Sequence, residues 1–100
     1  MIPTYQQCMP PFLILLKEAN GAEVKLRNII NYIGDHFQLS EDERAEPLPS
    51  GKQAILDNRV GWARTYLVKA GLVKSTRRAH FTMTERGLAA LNTPNVDINN

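Results

Sequence analysis

The hydrophobic positions of residues 57–73 recur at helical spacing. When residues 57–70 are placed on a helix, five apolar side chains fall on one face: Leu56, Val60, Ala63, Leu67 and Ala70. The opposite face is polar or small: Asn58, Gly61, Thr65 and Lys69. Trp62 and Arg59 lie on one border, and Arg64 and Val68 lie on the other. Gly71 follows the last apolar residue of the repeat, where a left-handed helix cap is expected. The pattern therefore predicts a helix with one buried face and one face open to a partner.

Two helices are predicted before this stretch. Thr4 and Gln7 match a capping box that starts the first helix, and Pro10 and Pro11 predict an interruption in it. The second helix has apolar residues at positions i, i+3, i+4, i+7 and i+11: Leu26, Ile29, Ile30, Ile33 and Phe37. His36 lies beside this stripe and is interpreted as a structural residue. Residues 22–25, between the two helices, are predicted to form a small strand.

Residues 40–52 form a long connection between the second helix and the helix at 57–70. Ser40 and Glu43 match another capping box, which predicts one or two helical turns before Pro47, Pro49 and Gly51 end them. A simple helix-turn-helix uses about three or four residues at this point. The segment is therefore an insert that either contacts a partner or braces the helix that follows.

After Gly71 the pattern changes to two short strands, residues 72–75 and 80–83, around a turn at 76–79. Thr84 is a predicted cap for a last helix at 85–91, whose Leu88 and Leu91 are expected to return to the core. Together these elements predict a winged helix-turn-helix fold, mainly α within the α+β class. The β-hairpin is its wing, and an insert precedes the helix at 57–70, which takes the place of the recognition helix in such a fold. We assign residues 1–92 to this domain and residues 93–100 to a linker or disordered tail.

The length and composition of the chain limit the class of protein to which it can belong. One hundred residues suit one domain, and the single cysteine, Cys8, excludes an internal disulfide. The longest apolar run, residues 12–16, is far too short to span a bilayer, and no signal peptide is evident. We therefore expect a soluble cytoplasmic protein without a membrane partner.

The distribution of charge is uneven along the chain. Residues 52–87 carry eight basic and two acidic side chains, a net charge of +6, whereas residues 35–46 carry five acidic side chains against Arg44, a net charge of −4. Such a layout is typical of a protein with a polyanion-binding face. The alternative is that both segments are ordinary solvated surfaces.

A winged helix commonly places its third main helix in the major groove of DNA and its wing along the backbone or minor groove. Basic side chains on the helix borders and the wing would meet phosphates, and Asn58 and Thr65 can hydrogen-bond base edges. The candidate DNA-binding residues are Lys52, Asn58, Arg59, Gly61, Trp62, Arg64, Thr65, Lys69, Lys74, Arg77 and Arg78.

Several of these residues have a structural alternative. Trp62 and Tyr66 could pack against the first or second helix, Arg59 could pair with an acid of the insert, and Gly61 could permit close helix packing. At the tip of the hairpin, two adjacent arginines are rarely needed for folding. The rival function is a protein-interaction or dimerisation module, with a homodimer formed through residues 40–51 or the apolar first helix.

No catalytic or metal-binding constellation is evident. Glu41, Asp42 and Glu43 are consecutive on a predicted helical turn and therefore diverge, whereas a metal-dependent nuclease needs acidic groups and a lysine that converge. The other reactive side chains, Cys8, His36 and His80, are scattered along the chain. We therefore expect no cofactor, no metal ion and no enzymatic activity from this chain alone.

Four pieces of the sequence carry a resemblance to a known family. The sequence LPSGKQAILDNRVGWARTYLVKAGLV, followed by RR at the wing and TERG at the last helix, resembles the N-terminal domain of Mrr-type (type IV) restriction endonucleases. The opening IPTYQQCMPPFLILL is similar to the first helix of that domain, so the resemblance covers residues 2–92. Ala79 departs from an expected glycine, and Pro47 departs from an expected aliphatic residue.

The resemblance implies a winged helix that recognises double-stranded DNA for a C-terminal nuclease domain in a longer parent chain. It also implies that the parent cuts modified, often methylated, DNA. The chain would then be the DNA-binding half of an endonuclease, either separated from it or as a stand-alone relative.

Overall fold

The computed structural model describes residues 1–92, and the linker or tail predicted at residues 93–100 lies outside them. Within the described part, helices and strands follow in the order α1 (Tyr5–Glu18), β1 (Val24–Lys25), α2 (Leu26–His36), α3 (Glu41–Ala45), α4 (Ile55–Lys69), β2 (Val73–Arg77), β3 (His80–Met83) and α5 (Glu85–Asn92). This is the predicted mainly α winged-helix arrangement. The recognition helix α4 begins two residues earlier than the sequence predicted.

The core lies where one face of α1, α2 and α4 meets the small sheet. The periodic residues of α2 and α4 form much of it: Ile29, Ile30, Ile33, Leu56, Val60, Ala63 and Leu67. Phe12, on α1, meets the ring of Phe81 edge-on, with 6.2 Å between the ring centroids. Burial of these apolar faces, rather than helix propensity, supplies most of the stability of such short helices.

The sheet has the strand order β1–β3–β2, and both pairings are antiparallel. Val24 lies opposite Phe81, and Val73 lies opposite Met83. The predicted small strand before the second helix therefore does join the wing. The first wing strand extends to Arg77, two residues beyond the prediction, which narrows the turn to Arg78 and Ala79.

Helix α1 runs without a break through Pro10 and Pro11, so the predicted interruption is wrong. The two prolines remove the donors that would bond the carbonyls of Gln6 and Gln7. The helix continues because it is held on both sides of them. Thr4 and Gln7 form the predicted capping box before the prolines, and buried Phe12, Leu13 and Leu16 anchor the turns after them.

The insert is hydrogen-bonded to the start of α4. The amide of Ile55 donates to the carbonyl of Glu46 at 2.8 Å, and the amide of Leu48 donates to the carbonyl of Gln53 at 2.9 Å. Ser40 and Glu43 form the predicted capping box of α3. The insert therefore braces the recognition helix, which was one of the two expected roles.

Helix α4 ends in the predicted left-handed glycine, with Gly71 at φ +77°. The amide of Gly71 donates to the carbonyl of Val68, and the amide of Leu72 donates to the carbonyl of Leu67. This is a Schellman cap, which satisfies the last carbonyls of the helix. Ala70 was predicted to lie in the core, and this prediction is wrong because Ala70 is exposed. The regular helix ends at Lys69, and Ala70 is its cap residue.

Thr84 caps α5 as predicted, accepting a hydrogen bond from the amide of Gly87 at 3.0 Å. The inward side of α5 is formed by Gly87 and by Leu91, which packs against the core. Leu88 is instead 39% exposed, so its predicted return to the core is wrong. The cause is a close approach at Gly87, where a methyl group would lie only 2.1 Å from the carbonyl oxygen of Leu72.

Candidate nucleic-acid interface

The exposed face of α4 carries a shallow depression of about 260 Å³. Its lining is polar apart from one indole ring and one glycine: Gln53, Asn58, Gly61, Trp62, Arg64 and Thr65. Because Val60, Ala63 and Leu67 are buried on the opposite side, the helix is anchored with this lining turned outward. Five of the eleven candidate residues therefore meet in one place.

Hydrogen bonds within the depression set which polar groups are free. The hydroxyl of Thr65 donates to the carbonyl of Gly61 at 3.1 Å, and the Asn58 amide nitrogen donates to Gln53 Oε1 at 3.4 Å. The Thr65 hydroxyl has thus used its only proton, and its oxygen also accepts from Nη2 of Arg64 at 3.5 Å, so one lone pair remains for a ligand. Asn58 keeps its carbonyl oxygen and a second N–H, so it retains both kinds of hydrogen-bonding group.

Gly61 is not explained by helix packing. Among residues 1–92, a methyl group built on it would meet no atom within 4 Å outside its immediate neighbours and the backbone of its own helix. The structural alternative considered for this residue, close packing of α4 against another helix, is therefore wrong.

Arg59 lies on the inner border of α4 and contacts the residues that precede α1. Its Nη1 donates to the carbonyl of Pro3 at 3.2 Å, and within residues 1–92 the alternative pairing with an acid of the insert does not form. Arg59 also lowers the pKa of Cys8, but burial outweighs this effect and raises that pKa to about 11. The Cys8 thiol therefore stays protonated at neutral pH.

The two aromatic residues of α4 differ in their surroundings. The ring of Tyr66 stacks on Tyr5 of α1, with 5.0 Å between centroids, so the expected packing against the first helix holds for this residue. Trp62 is 50% exposed, and its ring lies 6.3 Å from that of Tyr66. Trp62 therefore forms an open wall of the depression rather than part of the core.

The two arginines of the wing are not equivalent. Arg77 ends β2 and donates from Nε to Glu23 Oε2 at 2.9 Å, and this contact lowers the pKa of Glu23. Arg78 occupies the tip, and its carbonyl lies 2.7 Å from Nδ1 of His80. Ala79, which replaces the expected glycine, completes the turn at φ +60°, a backbone conformation that is unusual for alanine. The tip thus presents one arginine free of a carboxylate and one that is paired.

The remaining basic candidates are three lysines outside the lining of the depression. Lys52 is in the insert loop, Lys69 is in the last turn of α4, and Lys74 is on β2, and all three are exposed. Within residues 1–92 no carboxylate lies within 4.0 Å of these lysines or of Arg64 and Arg78.

Two acidic residues, one on α4 and one at the end of α2, are paired with arginines. Asp57, the acid in the first turn of α4, pairs with Arg27 of α2 at 2.8 Å. In the acidic segment, Arg44 pairs with Asp35 at 2.8 Å, and Glu43 belongs to the cap of α3.

Sequence reasoning missed two residues that shape this surface. Gln53 lines the depression, and its place directly before the recognition helix was an available signal. Glu23 neutralises Arg77 from a distance of 54 residues along the chain, and no local pattern marks such a pairing.

Residues 5–93 match the family described as the Mrr N-terminal domain. This chain belongs to that family. As an Mrr N-terminal domain it is also similar to a type IV methyl-directed restriction enzyme, EcoKMrr, of Escherichia coli strain K12, with 33% identity over 87 residues. The alignment covers 86% of this chain and 28% of that relative. No solved structure matches the chain significantly.

The family match concerns an N-terminal domain, and the chain spans little more than a quarter of its relative's length, so the nuclease part of that enzyme is not matched. Among the described residues of this Mrr N-terminal domain, no group of three or more His, Cys, Asp or Glu side chains could hold a metal ion. None of the helices in residues 1–92 is long and apolar enough to cross a membrane.

Proposed function

We propose that this Mrr N-terminal domain binds double-stranded DNA, with α4 in the major groove and the wing on the backbone. The observation that carries the proposal is the polar depression on α4, which includes Arg64, a basic side chain with no acidic partner within residues 1–92. In this proposal the domain contacts DNA through the eleven candidate residues that the sequence predicted.

The dimensions of α4 suit this role. Its 15 residues give a length of about 22 Å, and a helix with its side chains is roughly as wide as the major groove. Asn58 can offer a donor and an acceptor to a base edge, and Thr65 can offer an acceptor. These groups support sequence readout, whereas the basic residues support affinity that does not depend on sequence.

We propose further that the domain serves as the specificity domain of a longer, Mrr-like restriction endonuclease acting on modified DNA. The similar enzyme is described as methyl-directed, and the chain covers 28% of it. In this proposal residues 1–92 form the DNA-binding unit, and a C-terminal nuclease domain in the parent chain performs cleavage.

The most direct experiment titrates the chain against matched methylated and unmethylated duplexes at several salt concentrations. We expect binding whose affinity falls linearly with salt on logarithmic axes, because phosphate contacts release counterions. We also expect tighter binding to one methylated duplex than to its unmethylated match. An absence of salt-dependent binding to either duplex would contradict the proposed function.

A protein-interaction or dimerisation module is the second candidate. The half-exposed ring of Trp62 beside Tyr66 is the observation that favours it, because exposed aromatic side chains are enriched at interfaces. Self-association measured by sedimentation, and lost in Trp62→Ala without loss of DNA binding, would support this candidate.

Readout by the helix gives a separate prediction for Asn58. Asn58→Ala should reduce the preference for a cognate sequence over random DNA by about tenfold or more, because a good side-chain contact to a base contributes about 1–3 kcal/mol of discrimination. Competition binding against both DNAs measures this ratio. An equal loss on all sequences would assign Asn58 to phosphate contact, and unchanged binding would place this face away from DNA.

A further inference from the structure

Gly61 differs from the other glycines of the chain. All six glycines lie within the described residues, and five have a reason within the fold. Three occupy the positive-φ region that favours glycine: Gly21, Gly51 and Gly71. Two are enclosed, so that a methyl group would fall within 3.0 Å of a neighbouring atom: Gly34 and Gly87. Gly61 has neither property, because it lies within α4 with open space around it.

Folding alone would favour a different residue at this position. Glycine inside a helix is destabilising relative to alanine, because it loses more backbone freedom on folding. At Gly61 no neighbour compensates by occupying the space that a side chain would fill. Contacts within residues 1–92 therefore do not account for this glycine, whereas an external ligand lying against the helix would.

The surroundings of Gly61 indicate what that ligand is. Gly61 lies between Asn58, three residues before it, and Thr65, one helical turn after it, on the lining of the depression. Trp62 and Arg64 complete the nearby lining, which contains amide, hydroxyl, guanidinium and indole groups and no carboxylate. Such a lining suits the edge of a nucleobase pair, which presents hydrogen-bonding groups on a flat surface, better than the apolar side chains of a protein partner.

We propose that Gly61 is the point of closest approach between α4 and DNA, where a base-pair edge lies directly against the helix backbone. This inference rests on the proposed function. A helix with its side chains nearly fills the major groove, so a missing side chain brings the backbone closer to the bases by the depth of that side chain. The missing side chain leaves a gap in the surface of α4 at Gly61, which we call the notch. Asn58 and Thr65 then reach the same base pairs from either side of this notch.

The test uses Gly61→Ala and Gly61→Leu, with Val68→Ala as the matched control. Both substitutions at Gly61 introduce better helix formers and fill the notch to different depths. Val68 is on the same helix, is 38% exposed and does not line the depression, so its substitution also improves helix propensity but leaves the notch open. The wild-type domain is first used to select a preferred sequence from a pool of duplexes with a randomised centre. Each variant is then measured for its affinity for that sequence and for its thermal unfolding.

We expect Gly61→Ala to raise the melting temperature by about 4–8 °C, as removal of a helical glycine does in a domain of this size. The same change should weaken binding to the enriched sequence by about tenfold, the scale of one lost base contact. Gly61→Leu should bind more weakly still, and Val68→Ala should bind like the wild type. Higher stability combined with weaker binding cannot arise from damage to the fold.

Three results would overturn the inference. If Gly61→Ala binds DNA like the wild type, the notch is not a contact point, and the proposed function stands without it. If the substitution lowers the melting temperature, the glycine has a role in folding. If it abolishes self-association while DNA affinity is unchanged, the notch belongs to an interface with a second copy. Failure of the wild-type domain to enrich any duplex would instead contradict the proposed function itself.

Discussion

Leu67→Ala should lower the free energy of unfolding by about 2–5 kcal/mol, the usual cost of truncating a buried leucine. Leu67 is 1% exposed and lies on the inner face of α4, the helix that packs against α1, α2 and β2. Its carbonyl also accepts the amide of Leu72 in the Schellman cap, so the chain around it has little freedom to collapse into the cavity. Because small domains have only about 5–15 kcal/mol of stability, the variant should be close to unfolding.

Urea denaturation followed by circular dichroism measures this change. Val68→Ala is the matched control, because it removes methyl groups from the next residue of the same helix where the side chain is partly exposed. We expect its free energy of unfolding to stay within about 0.5 kcal/mol of the wild type. An unchanged transition midpoint for Leu67→Ala would mean that the inner face of α4 has been assigned incorrectly.

The inner face of α4 was predictable because its signal is local and periodic. Val60, Ala63 and Leu67 recur at helical spacing, and a helix that packs on a core must bury such a stripe. The periodic residues of α2 are buried for the same reason. The caps at Thr4, at Ser40 and at Gly71 were also predictable, because each depends on residues within one helical turn.

The errors arise where a distant contact outweighs a local preference. Pro10 and Pro11 disfavour a continuous helix locally, but the core holds the turns on their C-terminal side. Leu88 matches the apolar period of α5, yet the close approach of Gly87 to the carbonyl of Leu72 sets the rotation of that helix. Neither contact can be deduced from a window of sequence.

In the candidate site, too, the features set by local spacing were predictable and those set by distant contacts were not. Residues on one helix, such as Asn58 and Thr65, were grouped correctly from their spacing, and they line one depression. The state of the wing was not predictable, because the pairing of Arg77 with Glu23 joins residues 54 positions apart. The positive charges of the wing were therefore predictable, whereas the neutralisation of Arg77 by Glu23 was not.

This pairing sharpens the expected effect of the wing on DNA binding. Each side chain that neutralises a phosphate should contribute about 0.9 to the slope of log affinity against log salt. We expect Arg78→Ala to flatten the slope by about that amount, because Arg78 lies at the tip with no carboxylate within 4.0 Å among residues 1–92. Arg77→Ala should change the slope less, because Glu23 already holds the Arg77 guanidinium.

The double variant Arg77→Ala/Arg78→Ala should therefore flatten the slope by between about one and two units, with folding nearly unaffected. Lys17→Ala, on α1, is the control for loss of one positive charge outside the proposed interface, and Arg78→Lys tests whether charge alone is sufficient. Glu23→Gln provides the converse test. It should release Arg77, increase DNA affinity and steepen the slope by up to about 0.9. Wild-type affinity and slope in the double variant would remove the wing from the DNA interface and would favour the protein-interaction function.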